Sequence, residues 1–376
     1  MRLWRRQDQA QSALTAEERY YVATQWQLMW RRLKKHRLAI AGMMVLALAY
    51  GSSLFAEFVS VEDIYKRHIS YMYCPAQRVH IVHDGQLQWR PFVYGIDAVR
   101  DPVTFERHYY EDKTARYPVR FFVDSEPYQL WGMITLETRL FGVDEPGVLF
   151  PFGTDQLGRD LFSRTVHAAR ISLSIGFVGV ALSFVLGCVL GGISGYYGGA
   201  VDTVIQRVIE FLLSIPTIPL WMALAAAVPA EWPPLRTYFA ITIILSVIGW
   251  CGLARVVRGR LISLREEDYI MAARVAGATS ASIIRRHLLP ACLTYLIVNL
   301  TLAIPGMILG ETALSYLGLG LRAPVVSWGV LLADAQDVKV VLLYPWLLVP
   351  GAFVVLAVLA FNFLGDGLRD AADPYR

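Results

Sequence analysis

Four polar residues stand in or beside apolar stretches of this chain: Glu210, Asn299, Glu311 and Asn362. A carboxylate or amide in a hydrocarbon setting is costly and marks a functional site by default. Each also has a plainer role to weigh. Glu210 stands three residues after Arg207, the spacing of an ion pair on one helical turn. Glu311 either lines a pathway or bonds a neighbouring backbone. Pro216, Asn299, Pro305 and Glu311 are the candidate pathway or gating positions; the two prolines supply kinks or hinges, a role that helix packing explains as well. Asp155, Arg159 and Asp160 are spaced to pair with one another or to cap a following helix. His80, His83 and Asp84 invite a metal site, but strand residues at i and i+3 face opposite ways, and no further ligand follows at a characteristic spacing. The sequence holds no GxxxxGKS or GxxxxGKT phosphate loop and no CxxC pair. The expectation is a chain with no catalytic residue, no metal and no cofactor of its own.

These residues sit on elements that composition makes membrane helices. The chain has 376 residues and is 55% hydrophobic, with a positive mean hydropathy. Soluble domains rarely reach that apolar fraction. A spanning helix needs about 20 apolar residues, and six stretches qualify: 38–58, 171–193, 208–230, 238–257, 291–312 and 342–364. Arg31, Arg32, Lys34, Lys35 and Arg37 precede the first, so the N-terminus is expected in the cytoplasm, and six spans return the C-terminus there. The loop after the fourth span carries Arg255, Arg258, Arg260, Arg265, Arg274, Arg285 and Arg286, in keeping with the same rule. Net charge is only +4 and follows the topology, which argues against nucleic-acid binding. The polar leader over 1–37 reads as an amphipathic surface helix or as partly disordered chain. No cleavable signal peptide is expected.

Residues 59–150 interrupt the apolar pattern after the first span. Two β-prone runs, 78–82 and 86–92, flank His83-Asp84-Gly85, a hairpin signal; 119–123 reads as a further strand. A small β-rich domain on the outer face is predicted, without catalytic or metal function. Cys74 lies there, apart from Cys188, Cys251 and Cys292, which lie in or beside spans.

The loop 258–290 has its own organisation. Tyr269, Ala272, Ala273 and Ala276 fall at i, i+3, i+4 and i+7, one face of a short helix. Three of the four are alanines, so the face is small and flat. Gly277 sits where left-handed backbone ends a helix, and Thr279 or Ser280 caps the next. Such a helix–break–helix outside the bilayer suits a docking element.

This loop resembles the Glu-Ala-Ala loop of the integral-membrane subunits of bacterial ABC importers. Ala272, Ala273, Gly277, Leu289 and Pro290 match its pattern; Met271 replaces its glutamate. The block GTDQLGRD resembles one found before the second span of oligopeptide, dipeptide and nickel importer permeases, through Gly153, Thr154, Asp155, Gly158, Arg159 and Asp160. GYYGGAVD at 195–202, LGETALSYLGLGL at 309–321, SWG at 327–329 and LGDGLRDAADPYR at 364–376 also resemble family segments. The start WRRLKKHRLAIAGMMVL is similar to the C-type subunit of the usual permease pair.

The resemblance implies an all-α integral-membrane fold: six helices of the type I importer kind, with a β-rich extracytoplasmic insert between helices 1 and 2. Its parts would be a leader over 1–37, helix 1 over 38–58, the insert over 59–150 and a permease core over 151–376. It implies a coupling helix, with Tyr269, Met271, Ala272, Ala273, Ala276 and Gly277 meeting an ATP-hydrolysing subunit. It further implies a second permease subunit, two ATP-binding subunits that hold ATP and Mg, an extracytoplasmic substrate-binding protein, and a bacterial plasma-membrane location. The substrate class expected is peptides or related small solutes. A membrane-embedded enzyme and a non-transport receptor are the rival readings; the first needs a convergent catalytic cluster, which the sequence does not offer, and the importer motifs weigh against the second.

Overall fold

Unbroken apolar runs become long helices in the computed structural model, which describes residues 25–83, 86–103 and 107–372. The leader's first 24 residues, the Asp84-Gly85 turn and the Asp373-Pro374 end lie outside the described residues. In chain order the helices are α1 (Gln25–Leu33), α2 (Arg37–Leu54), α3 (Ala56–Val59), α4 (Leu161–Tyr197), α5 (Gly199–Ser214), α6 (Thr217–Ala226) and α7 (Pro234–Leu264). They continue with α8 (Asp268–Val275), α9 (Ser280–Ile283), α10 (Leu289–Ala291), α11 (Leu293–Tyr316), α12 (Trp328–Ala333), α13 (Val338–Leu343) and α14 (Val349–Ala372). A π-turn at Ile284–Leu288 joins α9 to α10.

Among the described residues, five helices are long and apolar enough to cross a membrane: α2, α4, α7, α11, and α14 with its preceding turn from Pro345. A sixth span exists only if α5 and α6 count as one, and they are bent by 85° at Ile215-Pro216. The stretch expected to span over 208–230 is thus divided at Pro216, where a kink or hinge was expected. Pro216 lacks an amide hydrogen, and its extended ψ of 129° starts a new helix. Pro305 behaves differently: α11 runs through it without a break. The expected span at 171–193 is also too short, because α4 begins ten residues earlier, behind a polar cap.

Close approach fixes the packing of α4 on α7. A methyl group at Gly191 would lie 2.5 Å from the Ala254 carbonyl oxygen, and one at Gly195 would lie 2.8 Å from that of Arg258. Small residues every four positions let two membrane helices touch backbone to backbone. The main core gathers α2, α4, α7, α11 and α14 around Leu173, Leu245, Ile308, Trp328 and Phe361. A second cluster, Val257, Leu261, Ile270, Ile283, Leu288 and Leu296, holds the loop helices against the other end of the bundle.

Between α3 and α4 the chain forms five described strands: β1 (His80–His83), β2 (Gln86–Arg100), β3 (Arg107–Pro118), β4 (Arg120–Leu130) and β5 (Ile134–Gly142). They make an antiparallel sheet β1-β2-β3 and a separate hairpin β4-β5. The register of β1 on β2 shifts between His80 and Val82. Next to that irregularity the expected opposition of the two histidines is not kept. His80 and His83 both pack on Phe92 and Tyr94. His83 Nδ1 lies 2.8 Å from the Tyr94 hydroxyl, and His80 Nε2 lies 3.0 Å from a Glu111 carboxylate oxygen. No group of three metal-ligating side chains forms among the described residues.

Candidate functional site

Three constellations carry the polar residues singled out above. The first locks the insert-side end of the bundle. Asp160 caps α4, accepting from the amides of Phe162 (3.3 Å) and Ser163 (2.7 Å). Burial pushes its carboxyl up to about 7, against those capping bonds. Asp155, almost fully buried, accepts from the Leu157 and Arg159 amides and from Arg159 Nε at 2.7 Å, and also pairs with Arg164. Thr154 knits this turn to the chain leaving α3: its Oγ1 accepts from the Cys74 amide at 2.8 Å and donates to the Tyr71 carbonyl. Gly153 (φ +78°) and Gly158 (φ +72°) press on the Cys74 and His68 carbonyls, so a side chain at either fits neither the backbone angle nor the space. Trp346 Nε1 donates to the Thr154 carbonyl at 3.0 Å, drawing in the start of the last span. Burial raises the Cys74 thiol to about 12, which keeps it inert.

The second constellation surrounds Glu311. Its carboxylate is fully buried and accepts from three serine hydroxyls. Ser327 Oγ donates at 2.7 Å, Ser315 Oγ at 2.8 Å and Ser172 Oγ at 3.2 Å. Each serine in turn accepts a backbone amide, from Val330, Leu321 and Trp328 respectively. The sequence reading missed these serines. Ser315 and Ser327 lay inside the 309–321 and SWG blocks without being singled out, and Ser172 carried no signal; one serine in an apolar helix looks like any other. The other gating candidates do not converge here. The Asn299 amide donates to its own helix at the Tyr295 carbonyl, and the exposed Pro216 starts α6. Glu210 pairs locally with Arg207 at 2.8 Å, as the spacing predicted.

The third constellation is the loop helix α8. Gly277 takes φ +80°, and Thr279 Oγ1 accepts from the Ser282 amide at 3.3 Å as the cap of α9. Ile270 is fully buried and plugs α8 into the cluster with Leu261, Ile283 and Leu288. Tyr269, Met271, Ala272, Val275 and Ala276 are exposed, Val275 at 89%. Ala273 departs from the expected flat face: it is half-buried and packs inward on that cluster. The 100° step per residue places it a quarter turn from Ala272, toward the bundle. Beside the loop, Arg258 grips Asp202 with two bonds of 2.5 and 2.6 Å, tying α7 to the start of α5.

Several apolar spans and a loop helix with an exposed apolar face define an integral-membrane protein with a bare face on one loop. Residues 184–375 match the family described as the binding-protein-dependent transport system inner membrane component. Residues 24–76 match the N-terminal membrane domain of oligopeptide transport permease C. The chain belongs to this family of multi-pass ABC transporter permeases. It is similar to the dipeptide transport system permease protein of Bacillus subtilis, 32% identical over 92% of this chain and 84% of that one. It is also similar to the oligopeptide transport system permease of Haemophilus influenzae, 43% identical over 59% of this chain and 70% of that one. Among solved structures, an inward-facing MetNI methionine ABC transporter aligns at 20% identity and a TM-score of 0.42, covering 56% of this chain and 97% of that one.

Proposed function

We propose that this chain is one of two permease subunits of an ATP-driven type I importer for peptides or related small solutes, paired with a non-identical second subunit. Two separate ATP-binding subunits would hold ATP and Mg, and an extracytoplasmic binding protein would deliver cargo. The chain would lie in a bacterial plasma membrane by six spans, α5 and α6 forming one of them, with both termini in the cytoplasm and the strands outside. The peptide class comes from the relatives, whose printed names are dipeptide and oligopeptide permeases.

The observation that carries the reading is the division of α8 into two faces. Ile270 binds it rigidly to the ends of α7 and α11, while Tyr269, Met271, Ala272, Val275 and Ala276 are left bare. An exposed apolar face marks an interaction site. Motion of a partner held on that face would pass through Ile270 and Leu288 into two spans, and the Asp202–Arg258 clasp would carry it to the bent pair α5–α6. Such rigid-body rocking suits alternating access. Ala272→Trp tests the docking. Overpacking an interface costs about 1–3 kcal/mol, so capture of the ATP-binding subunits should fall about tenfold or more, with vesicle uptake falling alongside. Unchanged capture and uptake would remove the docking role.

A further inference from the structure

Among the apolar surfaces that the permease reading leaves unused, one continues directly from a membrane span. On α2, Met44 and Leu48, four residues apart, are exposed by 58% and 73%, and Phe55, eleven residues beyond Met44 and just past the helix end, extends the same stripe. This stripe is an exposed apolar side of the spanning helix, and it ends against the tip of the β4–β5 hairpin. Leu130 pairs with Ile134 to close that tip, and Trp131 (φ +54°) and Gly132 (φ +69°) turn it. The Trp131 ring lies 5.6 Å from that of Phe55. Its Nε1–H donates at 2.7 Å to the carbonyl of Leu54, the last residue of the span. Helix-terminal carbonyls lack an intrahelical donor, so the bond fixes the tip at the level where the span ends. Beyond Trp131, Met133 is 78% exposed and Ile134 48%. The stretch QLWGMITL, residues 129–136, contains no charge, although Glu126 and Glu137 lie just outside it.

We propose that the tip Trp131–Ile134 is seated in the bilayer interface on the insert's side, with Met133 and Ile134 in contact with phospholipid. Three observations converge on lipid as the occupant. The surface continues the exposed apolar stripe of a spanning helix, its depth is set by the end of that span, and its anchor is a tryptophan whose apolar body and polar N–H suit the head-group level. The hairpin thereby pins the strands to the membrane beside α2 and fixes how far they can tilt over the bundle.

The test uses the full-length chain with its co-expressed partner subunits in nanodiscs. Met133→Cys is labelled with an environment-sensitive NBD fluorophore. All four native cysteines are buried and stay unlabelled, with the unsubstituted protein as control. Phosphatidylcholine brominated near the head-group end of its acyl chains should quench position 133 by about twofold, as expected for apolar groups buried about 5–10 Å into the interface. The exposed site Lys113→Cys should give no more than background quenching. Ile134→Cys repeats the measurement if Met133→Cys does not assemble. Quenching at 133 and 134 no greater than at 113 overturns the proposal. So does a label that is shielded from water but unquenched by lipid, since a protein partner would then cover the tip.

Discussion

Glu311 holds a carboxylate inside the bundle because three hydroxyls solvate it, and each hydroxyl is oriented by an amide of the 320–330 segment. The carboxylate therefore works as a staple between α4, α11 and the chain that follows α11. Removing one hydroxyl leaves both a carboxylate lone pair and a backbone amide short of a partner. Ser327→Ala should cost about 1–3 kcal/mol, read as a lower unfolding midpoint of the purified protein in detergent; an unchanged midpoint would show that the network is dispensable. Asp160 provides a pH-dependent counterpart. Its folded pKa of about 7 lies above the unfolded carboxyl value of about 3.9. The native state therefore binds the proton more tightly, and the stability from this group is full below about pH 4 and lost as pH rises toward about 7. Asp160→Asn keeps the capping oxygen and removes the titration. Its unfolding midpoint relative to the parent should climb between about pH 5 and 7 and level off above; a difference that stays flat with pH would contradict the assignment.

At the scale of elements, α8 shows how one turn of helix separates docking from folding. Ala272 and Ala273 are adjacent in the sequence, yet one is exposed and the other half-buried against the cluster of Ile270 and Ile283. Both Ala272→Trp and Ala273→Trp should impair uptake, but for different reasons. Ala272→Trp should leave the unfolding midpoint of the isolated permease unchanged. Ala273→Trp forces an indole into a packed cluster and should lower stability by about 1–3 kcal/mol. Equal midpoints for the two variants would mean that α8 is not held as described.

For the molecule as a whole, the strands and the bundle are joined by the Gly153–Asp160 turn. The segment 68–77 belongs structurally to that turn, since His68, Tyr73 and Cys74 donate backbone bonds into it and Gln77 reaches Phe150. The sheet β1-β2-β3 is more peripheral. Replacing 80–117 by a short Gly/Ser linker should leave assembly and the unfolding midpoint close to those of the parent. Replacing 62–145 removes the partners of Thr154 and Gly158 as well, and should lower the midpoint sharply. Calorimetry of the two deletions in one detergent compares them; equal loss would show that the sheet itself carries the stability.

Local chemistry made much of this legible in the sequence. Apolar runs of about 20 residues have few alternatives to membrane helices, and an aspartate before a helix or a glycine after one acts within a few residues, so the Asp160 cap and the Gly277 break followed from spacing alone. The motifs around 153–160 and 268–290 marked the family for the same reason. Tertiary structure decided whatever depends on contacts remote in sequence. It set the bend between α5 and α6 at 85°, left α11 continuous through Pro305, and brought Ser172, Ser315 and Ser327 to one carboxylate from two helices and a loop. It also turned Ala273 inward, brought His80 and His83 to the same pair of rings, and set a tryptophan from a β-hairpin against the last carbonyl of a span 77 residues away. Periodicity gives a helix its faces, but which neighbour covers each face is a property of the packed chain.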